Sequence, residues 1–136
     1  MHQTTTPRSA TTAVVGLPRL FLRLEGLAAL LAGSASYLVM GGEVLLLVPL
    51  LLLVDVSMAG YLAGPRAGAV AYNLAHNWGA SIVVLGLAWW LSSTPFGLAG
   101  AILLAHTGMD RAVGYGLKYP TAFADTHLGR IGRSGR

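Results

Sequence analysis

The sequence has no cysteine, which excludes disulfides and thiolate metal sites and leaves the redox compartment open. Charge is scarce as well. Asp, Glu, Lys and Arg make up 10% of the 136 residues, where soluble domains carry about 25%. So few ionised groups could hardly cover a water-facing surface. Acidic residues number five against nine basic ones, a net charge of +4. A basic chain suggests nucleic acid, but here the positive residues flank apolar runs and no basic face with interleaved aromatics is present, so no nucleic-acid partner is expected. Attraction to anionic lipid headgroups accounts for the charge. Alternating strand patterns and long internal repeats are also missing, and the length suits one domain.

What is present is apolar: 54% of the chain is hydrophobic. Residues 1–18 are Thr-rich, hold two prolines and show no period, and read as a flexible leader. Four apolar segments follow: Leu20–Met40 (interrupted by Arg23 and Glu25), Val44–Ala63, Ala67–Leu91, and Phe96 to near Gly116. Gly41-Gly42, Gly64-Pro65-Arg66 and Ser92-Ser93-Thr94-Pro95 separate them. Each reaches the ~20 residues needed to cross a ~30 Å hydrocarbon core. Asp55 is the objection to the second segment, since a central Asp costs ~2.5–3.5 kcal/mol. The ten Leu and Val residues between Val44 and Val54 return roughly 3–6 kcal/mol. The span stays favourable.

The expected fold is therefore all-α: an integral membrane four-helix up-and-down bundle over residues 19–118, with a non-helical basic tail over 119–136. Arg8, Arg19, Arg23, Arg66, Arg111, Lys118, Arg130, Arg133 and Arg136 all fall on the side that holds the N-terminus. The opposite turns, Gly41–Glu43 and Ser92–Pro95, carry no positive residue. By the positive-inside rule both termini are cytoplasmic. Trp89 and Trp90 then mark the outer interface, and Tyr61, Tyr115 and Tyr119 the inner one.

Five ionisable residues fall inside the apolar segments: Glu25, Asp55, His76, His106 and Asp110. At 1.5 Å per residue, His76 lies roughly 15 Å from the cytoplasmic side, and Asp110 and His106 about 12 and 18 Å before Lys118. Glu25 is early in the first helix and Asp55 late in the second, so four helices contribute to one layer. His106 and Asp110, four apart, share a helix face, as do Asn73, His76 and Asn77. Ionisable groups in a membrane face the bundle interior and pair. Two His and a carboxylate suit iron, and imidazole with carboxylate also suits zinc or manganese. The ferritin-like Glu-x-x-His pairs are absent. The expected metal ligands are His76, His106 and Asp110, with Asp55 or Glu25 as fourth ligand or general base. His127 and Asp125 in the tail lie on the same side and offer a lid or a further ligand. The structural alternatives are plain: Glu25 pairing with Arg23, Asp110 with Arg111, the histidines with each other, and the tail held on anionic lipid by its arginines.

The motifs RLEG at Arg23–Gly26, DVSMAGYLAGPRAGAVAYNLAH at Asp55–His76 and AHTGMDRAVGYGLKYPTAFADTHLGRIG at Ala105–Gly132 resemble a bacterial family of small membrane proteins, domain of unknown function 4260. The resemblance covers about residues 19–132 and implies a compact multi-span protein of the bacterial cytoplasmic membrane, with no catalytic role to transfer. Two departures, Val54 where proline is expected and Asn77-Trp78 where Thr-Tyr is expected, bear on local helix shape. The function expected from the residues is a metal-dependent enzyme, hydrolytic or oxidative, acting on a lipid or small amphiphile. The alternatives are an accessory subunit of a membrane complex, or a small proton- or cation-coupled transporter. The near absence of ionisable groups from the outer half counts against transport. A second copy of the chain or another membrane protein stays open as a partner.

Overall fold

A computed structural model describes residues 13–132. Helix α1 spans Gly16–Val39; α2, Val44–Leu53, continues directly into a 3-10 segment, Val54–Ala63. Then come α3 (Pro65–Ala75), α4 (Trp78–Trp90), α5 (Thr94–Val113), and a two-stranded antiparallel hairpin of β1 (Asp125–Thr126) and β2 (Gly129–Arg130). Helix α5 is the hub. It packs along α1 and α4, touches α2 more lightly, and carries more buried residues than any other element, while α3 packs on the 3-10 segment. Arg8, Arg133 and Arg136, counted above, lie outside the described residues.

Two helical stretches, Gly16–Val39 and Val44–Ala63, are long and apolar enough to cross a membrane. In the second, only 6% of the most apolar stretch is buried inside the protein, so it is not the core helix of a water-soluble fold. Leu51 packs in the core, with Leu47 and Leu50 against it, while Leu45, Leu52, Leu53 and Leu62 are exposed.

The α1–α5 contact depends on small residues at which backbones meet. A Cβ on Gly33 would lie 2.6 Å from the Ala105 nitrogen and 2.7 Å from the Ala101 oxygen. One on Gly108 would strike the Leu30 nitrogen and approach the Gly26 oxygen to 2.6 Å. None of these atoms belongs to a side chain that can turn aside. Gly108→Val is expected to force α5 off α1 and to lower stability by at least about 1–3 kcal/mol, the usual cost of overpacking. Denaturation of the detergent-solubilised variant checks this; an unchanged midpoint would count against so tight a contact.

The 3-10 segment is long for its kind. With three residues per turn it sets Asp55, Met58 and Tyr61 above one another on one face. Asp55 and Met58 border a cleft, and Tyr61 meets Phe123 edge-on at 5.2 Å.

The third segment departs from expectation. Instead of one helix over Ala67–Leu91, the chain breaks at His76-Asn77. His76 leaves helical geometry (φ −109°, ψ 35°) and Asn77 is extended (φ −122°, ψ 155°). A helix break leaves backbone donors and acceptors to be satisfied, and Asn77 does so in both directions. Its Oδ1 accepts from the Ala80 N–H at 2.9 Å, capping α4, and its Nδ2 donates to the Asn73 and Leu74 carbonyls at 2.7 and 3.0 Å. Asn is a strong N-cap, where a hydrophobic residue is not.

The tail also departs from expectation, in part: it is non-helical but includes a short sheet. Helix α5 stops at Gly114, whose left-handed φ of 96° glycine adopts without penalty. The chain then folds back, burying Lys118, Thr126 and Leu128. Asn73 clamps it: its Oδ1 accepts from the Lys118 N–H at 2.7 Å and its Nδ2 donates to the Lys118 carbonyl at 2.9 Å. At the other end the chain closes on α1's approach, Val14 N–H donating to the His127 carbonyl at 3.2 Å.

A candidate metal centre

His76 ends α3, and the helix end shapes it. Its Nδ1 lies 2.8 Å from the Tyr72 carbonyl, and its ring stacks on Tyr72 with centroids 3.7 Å apart and planes 11° from parallel. Only a protonated Nδ1 can bond to a carbonyl, so the lone pair is on Nε2. That atom faces His106 Nε2 from mid-α5 at 2.9 Å. Both histidines are fully buried.

Asp55 completes a triangle, with Oδ1 3.4 Å from each histidine Nε2. Four ligands about 2.1 Å from a tetrahedral ion stand about 3.4 Å apart, so the three sides of 2.9, 3.4 and 3.4 Å fit one ion. Asp110, one turn after His106, sets Oδ2 3.9 Å from His76 Nε2 and Oδ1 3.8 Å from His106 Nε2. The Tyr72 hydroxyl donates to Asp110 Oδ2. Tyr72 thus orients one histidine through its carbonyl and one carboxylate through its hydroxyl, as outer partners of metal ligands commonly do. Buried His106 Nδ1 has no partner among the described residues.

Two cations support the centre. Arg111 donates to the His76 carbonyl at 3.1 Å and to the Tyr115 carbonyl at 2.8 Å. Lys118 Nζ donates to the Phe123 carbonyl at 2.8 Å and lies 3.7 Å from the Phe123 ring centre and 4.7 Å from that of Tyr72. Burial pushes this ammonium below its ordinary range, and Asp110 and Asp55 pull it part of the way back. Asp55, Met58, Tyr72, Asp110, Lys118 and Phe123 border a cleft of about 380 Å³. Asp55, one-third exposed, is the most open of the four candidate ligands.

The structure thus brings together Asp55, His76, His106 and Asp110. Glu25 and His127 lie elsewhere, around a smaller hollow of about 190 Å³ with Asn77, Trp78 and Arg111. Glu25 is exposed, and its neighbour Arg23 donates to the Ala112 carbonyl at 2.8 Å. His127 Nδ1 accepts the Leu117 N–H at 2.9 Å. Tyr72, Arg111 and Lys118 were not singled out from the sequence as parts of the site. The i, i+4 spacing of Tyr72 and His76 was the available signal; Lys118 had none, because only the folded tail brings it in.

Burial, then the nearby Arg111 charge, pushes His127 below its ordinary value of 6.5. Unfolded, the same ring takes up a proton near 6.5. The unfolded tail then binds more protons in the window below 6.5, so tail stability is complete above that pH and falls as the pH drops through it. Protection of the Leu117 amide from hydrogen exchange, corrected for intrinsic rate, is expected to fall between pH 7.5 and 5.5. His127→Ala should flatten the profile; a wild-type profile already flat would exclude the effect.

Residues 19–131 match the family model described as Domain of unknown function (DUF4260). No curated protein and no solved structure matches the chain.

Proposed function

The chain belongs to the DUF4260 family, and from its own site we propose that it is a multi-pass protein of the bacterial cytoplasmic membrane that holds one divalent ion (zinc, iron or manganese) and acts as a metal-dependent enzyme on a lipid or small amphiphile. The observation that carries this reading is the triangle of Asp55, His76 and His106, three deprotonatable donors converging from three helices at the spacing of one coordination sphere. Four crossings with cytoplasmic termini are supported by the outward-facing leucines and by the nearness of Arg19 to Gly114 and Gly129 at one end of the molecule. A divalent ion supplies Lewis acidity, polarising a carbonyl or phosphoryl oxygen. The protein's part is to hold the ligands: Tyr72 aims His76 and Asp110, and Arg111 secures the broken backbone that carries His76. Asp55 borders the cleft through which a substrate reaches the centre.

Elemental analysis of the purified protein tests this. About one zinc, iron or manganese per chain is expected, lost in the His106→Ala/Asp110→Ala variant. Protein that stays metal-free after reconstitution with each ion in turn would overturn the reading.

A further inference from the structure

A second hollow lies nearer the start of α5. Helix α2 meets α5 far less closely than α1 does, and the gap between them encloses about 590 Å³. Its walls are aliphatic, with Leu46, Leu50 and Leu53 facing Leu98, Ile102 and Leu103. Its polar groups are at the far end, where the Tyr37 hydroxyl donates to the Glu43 carbonyl at 3.2 Å. Its near end reaches Val54, and the next residue, Asp55, borders the cleft beside the candidate metal centre. From Leu46 to Val54 the groove runs about 12 Å at 1.5 Å per residue. One helix pair therefore offers an alkyl-lined trough whose last lining residue, Val54, directly precedes Asp55 of the charged site.

Charge decides what the head of an occupant must be. Around the centre stand two carboxylates, Asp55 and Asp110, and two cations, Arg111 and Lys118. With neutral imidazoles these cancel. A divalent ion then adds two positive charges that no further protein group offsets, and uncompensated charge is costly at low dielectric. The Arg111 guanidinium is committed to two backbone carbonyls, whereas the Lys118 ammonium lines the cleft and, among the described residues, donates one hydrogen bond, to the Phe123 carbonyl.

We infer that the substrate is an anionic single-chain amphiphile, its alkyl chain lying in the α2–α5 groove and its phosphate or carboxylate head in the cleft with Lys118. The head assignment rests on the metal reading above; the chain assignment rests on the groove.

The test uses dodecyl phosphate with a terminal diazirine, photolysed with the metal-loaded full chain in phosphatidylcholine nanodiscs. Expected is saturable labelling of groove residues, competed by unlabelled dodecyl phosphate at least about tenfold better than by dodecyltrimethylammonium or inorganic phosphate. Ala99 lines the groove from an exposed position, so Ala99→Trp should fill it without disturbing the core; Leu46→Trp is the second such variant. Both should lose labelling at unchanged metal content, and Lys118→Gln should lose the preference for phosphate. Non-saturable labelling spread over the outer faces of α1 and α2 means annular lipid only and overturns the inference, as does labelling indifferent to head charge. Metal content is read on the same samples. Its absence from the wild type overturns the metal reading, while diffuse labelling of metal-loaded protein overturns the inference alone.

Discussion

Alanine at His76, His106 or Asp55 is expected to empty the centre, while Glu25→Gln and His127→Ala leave the ion in place. Each of the first three removes one corner of the 2.9, 3.4 and 3.4 Å triangle. Losing an outer partner of a metal ligand typically weakens binding about 10–100-fold, and losing a ligand should exceed that. Tyr72→Phe removes only the hydroxyl that donates to Asp110, keeping the carbonyl that orients His76, so it belongs in the 10–100-fold class. The measurement is chelator competition on reconstituted protein, with elemental analysis of each variant. Retention of the ion by His76→Ala would remove the triangle as the binding site. Loss in His127→Ala would mean that the tail hairpin helps to hold the centre.

Arg111→Met is expected to be strongly destabilising. The side chain is 5% exposed and donates to two carbonyls, His76 and Tyr115, that lie where a helix breaks and where a helix ends. Each buried carbonyl left unpaired costs about 1–3 kcal/mol. Release of the guanidinium from burial offsets part of this, for a net loss of about 3 kcal/mol. Lysine at the same position reaches one carbonyl but not both, because it lacks the planar fork, so Arg111→Lys should fall between. Since the His76 carbonyl is one of the partners, metal affinity should fall in the same order. A denaturation series on the three proteins measures the first effect and metal competition the second. A methionine variant as stable as the wild type would show that the break at His76-Asn77 is held by Asn77 alone.

Much of the molecule was legible in the amino-acid sequence. Two of the four expected spans coincide with helical stretches long and apolar enough to cross a membrane, Gly16–Val39 and Val44–Ala63, because apolar composition over about 20 residues is a local property. Turns at Gly41-Gly42 and Ser92-Ser93 follow from residues that cannot easily continue a helix, with Pro95 in the first turn of α5. Depth was legible too, because a helix rises 1.5 Å per residue, and this is why Asp55, His76, His106 and Asp110 could be assigned to one layer before any packing was known.

Rotation was not legible. Glu25 shares that layer by depth, yet its neighbour Gly26 is the residue pressed against α5, and one residue on a helix turns by about 100°. Glu25 consequently faces away. Asp55 is turned inward by a 3-10 segment whose three-residue turn no propensity announced. The break at His76-Asn77 was only hinted at by an asparagine in an apolar run, since the carbonyls and amides that Asn77 satisfies exist only once both helices form. The tail was least legible of all. Asn73 and Lys118 are 45 residues apart, and His127 finds the Leu117 amide only after Gly114 has turned the chain back. By itself the sequence determined which segments are apolar and how far along each its polar residues lie, because these properties sum along the chain. Tertiary structure alone decided which polar residues meet, because meeting depends on helix rotation, on a helix break and on a folded tail, and each of these is set by contacts between residues distant in sequence.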